Sequence, residues 1–175
     1  IRRVVDNLPS ADRWVFVAQA DHLDRYGDLM PDGEIVAVNG PTSGGAASCL
    51  AAADLLDGEL LVANADQLIV WADTDFGGAD VVVPTFHASG SKWAYLTDDG
   101  RTTATDTRRA QCGVYWWRRA SDFVAAASHL EGDTRIGFAS NFHDGPVLDW
   151  PVVGMYGLGT PADYEAFNAR PSLSV

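Results

Sequence analysis

The chain has 175 residues, 47% of them hydrophobic, and a formal net charge of -12. That length supports one core and a single domain over 1–175. No apolar run approaches the roughly 20 residues that span a bilayer, and the acidic balance disfavours nucleic acid and anionic membranes as partners. Positions 1, 4, 5 and 8 are apolar, which is helical spacing. Arg13 to Ala18 reads as a buried strand, and Asp21 as the cap of a helix to Tyr26. Glu34 to Val38 is a second short strand. A Gly-rich loop from Gly40 to Gly45 leads into an Ala- and Leu-rich helix over Ala46 to Leu56. Glu59 to Ala63 is a strand, Asp75 to Gly78 a turn, and Ala79 to Phe86 a strand. Trp93 to Thr97 and Gly113 to Trp117 read as strands flanking a polar hairpin loop. Ser121 is placed to cap a helix through Leu130, and Val152 to Tyr156 is a late strand. Thr160-Pro161 opens a last helix, with Thr as N-cap and Pro at the first helical position. Strands alternating with helices predict an α/β fold with a largely parallel sheet.

Four stretches could carry chemistry. In Thr42-Ser43-Gly44-Gly45-Ala46-Ala47-Ser48, two glycines at a helix start let backbone N–H groups approach a ligand. The stretch lacks the Lys-Ser/Thr of a P-loop, and a flexible strand-to-helix turn is the plainer reading. In Leu60-Leu61-Val62-Ala63-Asn64-Ala65-Asp66-Gln67, a buried strand ends abruptly in a carboxylate. In open α/β sheets ligands sit outside the carboxyl ends of the strands. Asp66 is therefore a candidate ligand for a divalent metal, with a turn cap as its alternative. In Ser91-Lys92-Trp93-Ala94-Tyr95, the chain's only lysine stands beside two aromatics. It can grip a phosphate while a ring stacks on a sugar or base, or the rings can simply face the core. In Gly157 to Tyr164 the capping role is clear and sufficient by itself. The four histidines are scattered without ligand spacing, so no zinc site is expected. No Gly-x-Ser-x-Gly elbow or nucleophilic cysteine arrangement is present.

The opening Ile-Arg-Arg-Val-Val-Asp-Asn turns charged too soon for a signal peptide, so a cytoplasmic location is expected. In that setting Cys49 and Cys112, both among apolar residues, read as buried thiols. The acidic, lysine-poor composition also suits a high-salt cytoplasm or a GC-rich genome.

The order of these motifs says more than any one of them. Gly45-Ala46-Ala47, then Leu61 to Gln67 with Trp71, then Lys92-Trp93-Ala94-Tyr95, then Gly113-Val114-Tyr115, then Gly157-Leu158-Gly159-Thr160-Pro161-Ala162-Asp163-Tyr164 resembles the sugar-nucleotidyltransferase family. It looks most like the branch found in capsule and surface-polysaccharide gene sets. The resemblance runs from Ile1 to about Ala169. It implies a three-layer, Rossmann-like nucleotide-diphospho-sugar transferase fold with a mostly parallel sheet, shortened at its N-terminal end. It implies transfer of a nucleoside monophosphate from an NTP to a phosphorylated small molecule, with release of pyrophosphate. Asp66 would hold Mg²⁺ against the nucleotide phosphates. Gly44, Gly45, Ala46 and Asn64 would border the nucleotide. Lys92, Trp93 and Tyr95 would face the phosphorylated acceptor, with Asp66 and Lys92 as the catalytic pair.

Three departures from that family are visible. Its opening strand, Gly-rich loop with Arg, and Pro-Lys pair precede the helix that begins here at Ile1. Its Glu-Lys-Pro segment is shortened to Thr105 to Gln111, with Arg108 or Arg109 nearest the lysine position. Gly157 stands where many relatives have a second metal carboxylate. The rival expectations are an inactive relative that binds nucleotide or sugar phosphate, and a glycosyltransferase of the same fold. A shortened sheet would also expose an edge for self-association.

Overall fold

A computed structural model describes residues 1–131 and 134–169. In chain order, α1 (Arg2–Val5) leads to β1 (Val15–Gln19), α2 (Ala20–Tyr26) and β2 (Glu34–Val38). Then come α3 (Gly45–Leu50), β3 (Leu60–Ala63), β4 (Gln67–Val70) and β5 (Val81–His87). β6 (Tyr95–Leu96), β7 (Thr102–Thr103), β8 (Arg109–Gln111) and β9 (Val114–Trp117) follow. The described chain closes with α4 (Ala120–Ala127), a 3₁₀ segment (Ile136–Phe142), β10 (Val147–Pro151), β11 (Gly154–Gly157) and α5 (Pro161–Asn168).

The α/β class holds, with a more mixed sheet than alternation alone suggests. The main sheet runs β3-β9-β5-β8-β6-β7, with β10 paired to β5. β9 is antiparallel to both β3 and β5, so those two share one direction, and β10 runs parallel with β5. One reversed strand thus sits inside an otherwise co-directional set. The satellites β6, β7 and β8 join by antiparallel ladders, which need only short connections. β1 and β2 form a separate parallel pair, and β11 pairs antiparallel with β4.

The main sheet is covered on both faces. Val62, Val81, Val83, Tyr115 and Trp117 point to one side and pack with Ala46, Phe123, Ala126, Ile136 and Ala139. Val82 and Trp116 point to the other, where Phe76 meets Trp71, Trp116 and Trp150. Period-2 alternation explains the split, since successive strand side chains face opposite ways. The β5 valines are fully buried, which contributes about 1.5–3 kcal/mol each.

Several local expectations need correction. β1 is only half-buried along its whole length. Gln19, not Asp21, holds the N-cap position of α2, and Arg119, not Ser121, that of α4; neither side chain makes a capping bond. The helix expected to reach Leu56 stops at Leu50, and a 3₁₀ turn (Ala53–Leu55) completes the segment. β6 and β9 do not form one hairpin: β6 pairs with β7 and β8 instead. The late strand expected over Val152 to Tyr156 is β11, and β10 just before it is an additional strand. The Thr160 cap is as expected: its Oγ1 accepts from the Asp163 N–H at 3.1 Å. Both cysteines are free thiols, and burial pushes Cys49 up to about 12.

Candidate functional site

β3 ends at Ala63, and the chain turns through Asn64-Ala65-Asp66 into β4. Three segments meet at this turn. The Asn64 N–H donates to the Gly113 carbonyl at 2.9 Å, and the Leu158 N–H donates to the Asp66 carbonyl at 2.7 Å. β4 and β11 then continue the contact as a ladder, with Gly157 opposite Gln67. The fold therefore joins two of the motifs that carry the resemblance, Asn64 to Gln67 and Gly157 to Asp163.

Two glycines make the junction possible. Gly113 has φ +73, and a Cβ there would stand 2.5 Å from Asn64 Nδ2 and overlap Gln67 Oε1. Left-handed backbone with no room for a side chain leaves glycine as the one residue that fits. Gly159 lies against the Asp66 carboxylate: a Cβ on it would overlap Oδ2 and stand 3.4 Å from Cγ. The Asp66 carboxylate is exposed. Among the described residues no salt bridge engages it, and no group of three or more His, Cys, Asp or Glu converges on one point. One exposed carboxylate that no described cation pairs fits Mg²⁺, which keeps several waters and takes one or two protein carboxylates beside substrate phosphates.

Beyond Gly157 lies a cavity of about 160 Å³, lined by Phe86, Lys92, Trp93, Tyr156, Asp163 and Phe167 among others. Lys92 Nζ sits 4.5 Å from the centre of the Trp93 ring, a cation–π contact. Phe86 meets Trp93 edge-on at 5.1 Å, and Tyr156 meets Phe167 at 5.6 Å. The cavity thus offers one ammonium, one carboxylate and four aromatic rings. Gly157 belongs both to this wall and to the ladder beside Asp66, which links the two halves of the site.

Not every expected residue is here. Tyr95 is fully buried, and its hydroxyl donates to the Gly90 carbonyl at 2.6 Å, so its ring supports the loop instead of facing the cavity. The Gly44–Ala46 turn packs on Thr134 and Ile136. Ala46 is fully buried, and its N–H donates to the Thr134 carbonyl at 2.9 Å. A Cβ on Gly44 would stand 2.9 Å from that same carbonyl oxygen, and one on Gly45 would stand 2.8 Å from Ile136 Cγ1. Close packing is thus a sufficient reason for both glycines. Arg109 is engaged by Asp98 at 2.6 Å and Asp149 at 3.3 Å, and Asp149 also accepts from Thr85. Phe86, Tyr156 and Phe167 lie outside the expected site residues, and Asp163 belongs to a stretch read chiefly as a helix start; the i, i+4 spacing of Asp163 and Phe167 sets both on one face of α5.

The architecture is a Rossmann-like α/β fold shared with solved nucleotidyltransferases. A nucleoside-diphosphate-sugar pyrophosphorylase from Vibrio cholerae superposes with a TM-score of 0.72 at 15% identity, over 89% of this chain and 80% of that one. A 4-diphosphocytidyl-2C-methyl-D-erythritol synthase from Anaerococcus prevotii gives 0.60 at 17% identity, over 91% and 82%. A UDP-glucose pyrophosphorylase complexed with UDP-glucose gives 0.62 at 14% identity, over 85% and 70%. No family model and no curated protein matches the sequence. Among the described residues no helix is long and apolar enough to cross a membrane.

Proposed function

We propose that this chain is a nucleotidyltransferase domain. It transfers a nucleoside monophosphate from an NTP to a sugar phosphate or similar phosphorylated small molecule and releases pyrophosphate. The observation that carries this reading is the junction of the Asn64–Gln67 turn with the Gly157–Asp163 turn, beside a cavity walled by Lys92 and Trp93. Asp66 holds the metal and Asn64 borders the nucleotide. Lys92 receives the acceptor phosphate, and Trp93 stacks on the acceptor's body. Mg²⁺, when bound, supplies charge neutralisation at the nucleotide phosphates. In-line displacement at the α-phosphorus needs positioning and electrostatic stabilisation more than covalent chemistry. The residues named provide those two things and no nucleophile of their own. The reading puts the product among surface-polysaccharide precursors, made in the cytoplasm.

The test is pyrophosphate release over the common NTPs and a panel of sugar 1-phosphates and phosphocholine, at low and high salt. Calorimetry of Mg²⁺–NTP binding accompanies it. Turnover that Asp66→Ala abolishes supports the proposal. Binding without turnover assigns the chain to the non-catalytic relatives. Absence of both, in folded protein, overturns the reading.

A further inference from the structure

The cavity beside Gly157 has two charged poles. One is Lys92, whose ammonium lies 4.5 Å from the centre of the Trp93 ring, with Phe86 edge-on to that ring at 5.1 Å. The other is Asp163 on α5, with Phe167 one turn further on and Tyr156 at 5.6 Å from Phe167. The first pole comes from β5 and the loop before β6, the second from β11 and α5. Among the described residues neither Lys92 nor Asp163 is in an ion pair, with each other or with any other group. The Asp163 Oδ2 accepts from the Thr160 hydroxyl at 2.7 Å, which leaves Oδ1 for another partner.

The lining is poor in directed hydrogen-bonding groups. Besides the two charges its side chains are aromatic, methyl or thioether, and Tyr156 brings the one hydroxyl. A sugar ring presents several hydroxyls, and each that enters without a partner costs its desolvation. A quaternary ammonium has no N–H and needs no acceptor. Ring faces and a nearby carboxylate hold it instead. The net charge of -12 acts in the same direction, since a cationic head offsets part of a phosphate's own charge.

We infer that the cavity selects a phosphate ester that carries a quaternary ammonium, its phosphate on Lys92 and its cationic head against Asp163, Tyr156 and Phe167. The inference rests on the reading of this cavity as the acceptor pocket and names the acceptor's class. Such a ligand has opposite charges at its two ends, and so does the cavity. Only one orientation satisfies both. The head cannot settle on Trp93, because the Lys92 ammonium already covers that ring and repels a second cation. A sugar phosphate matches the first pole alone. It meets Asp163 through uncharged hydroxyls, for which the carboxylate's charge is dispensable.

The test is calorimetry on the whole chain without NTP, using phosphocholine and glucose 1-phosphate, with tetramethylammonium chloride as competitor. Phosphocholine should bind about tenfold or more tighter than glucose 1-phosphate. Tetramethylammonium should compete with it, and sodium chloride at equal ionic strength should not. Asp163→Asn keeps an oxygen that accepts from Thr160 and removes only the charge. Phe167→Leu keeps apolar bulk and removes the ring face. Each should weaken phosphocholine by about 5- to 30-fold and change glucose 1-phosphate by less than about twofold. Lys92→Gln should weaken both ligands, and thermal melts confirm that each variant is folded. No binding of phosphocholine, equal or tighter binding of glucose 1-phosphate, or variants that weaken both ligands alike or neither would overturn the inference. Because binding is read without turnover, selective phosphocholine binding with no pyrophosphate release fails the transferase reading alone. Pyrophosphate release on glucose 1-phosphate without phosphocholine binding fails the inference alone.

Discussion

Gly159 packs against the carboxylate of Asp66, and it does so from the turn that opens α5. The contact involves the far end of a short exposed side chain, which can rotate aside. Gly159→Ala should therefore change stability by no more than about 0.5 kcal/mol, as for an ordinary surface substitution. It should still weaken Mg²⁺-dependent nucleotide binding, because the carboxylate is pushed from the position it holds. Calorimetry with and without Mg²⁺, beside a thermal melt, separates the two effects. Equal binding by Gly159→Ala and the unaltered protein would show that the position of the carboxylate against Gly159 does not matter to the metal.

Gly113 presents the opposite case. Its φ of +73 disfavours any side chain, and Asn64 Nδ2 and Gln67 Oε1 occupy the space a Cβ needs. Left-handed backbone costs a non-glycine residue roughly 1–2 kcal/mol before any clash is counted. Gly113→Ala should destabilise the fold by about 2–3 kcal/mol in chemical denaturation. It should also disturb the turn that carries Asp66. A loss below about 0.5 kcal/mol would show that the turn relaxes freely.

These two glycines illustrate what the sequence disclosed. The Thr160-Pro161 cap and the strand ending at Ala63 were legible because their signals are local: a capping side chain, a fixed φ, an apolar run meeting Asn-Ala-Asp. β4 was not, since Gln67–Val70 follows the Asp66 turn with no break to mark a new strand. The cavity was legible on one wall only. Lys92 and Trp93 are neighbours in the chain, whereas Tyr156 and Phe167 reach them through the β4–β11 ladder and α5. No local pattern encodes that meeting. Tyr95 was misplaced for a related reason: both residues of β6 are fully buried in the assembled fold, and burial obliges its hydroxyl to find the Gly90 carbonyl.

Lys92 brings the only ammonium side chain of the molecule to the cavity, held over Trp93. A charge-assisted hydrogen bond to a phosphate contributes about 1.5–3 kcal/mol. Lys92→Gln should raise KM for the phosphorylated acceptor by roughly 10- to 100-fold. Affinity for the NTP should stay unchanged when measured alone. A parallel loss of NTP affinity would move Lys92 to the nucleotide side of the site.

The loop that carries Lys92 is closed by Asp106. Its carboxylate accepts from the Gly90 N–H at 3.0 Å and the Arg108 N–H at 2.9 Å. Those bonds, Gly90's first, hold its pKa below the ordinary carboxylate value. A carboxylate lowered in the folded state adds stability above its unfolded pKa, about 3.9, and loses it as pH falls through the folded value. The loop should thus stay closed at neutral pH and loosen below about pH 4. Asp106→Ala should open it at any pH. Lys92 is the only lysine, so a lysine-specific protease has a single cleavage site in the whole chain. Cleavage after Lys92 at pH 7 should run several-fold faster in Asp106→Ala than in the unaltered protein, and hydrogen exchange over residues 90–108 should rise in step. Identical cleavage rates would show that the loop is held by Tyr95 and the β6–β8 ladder alone.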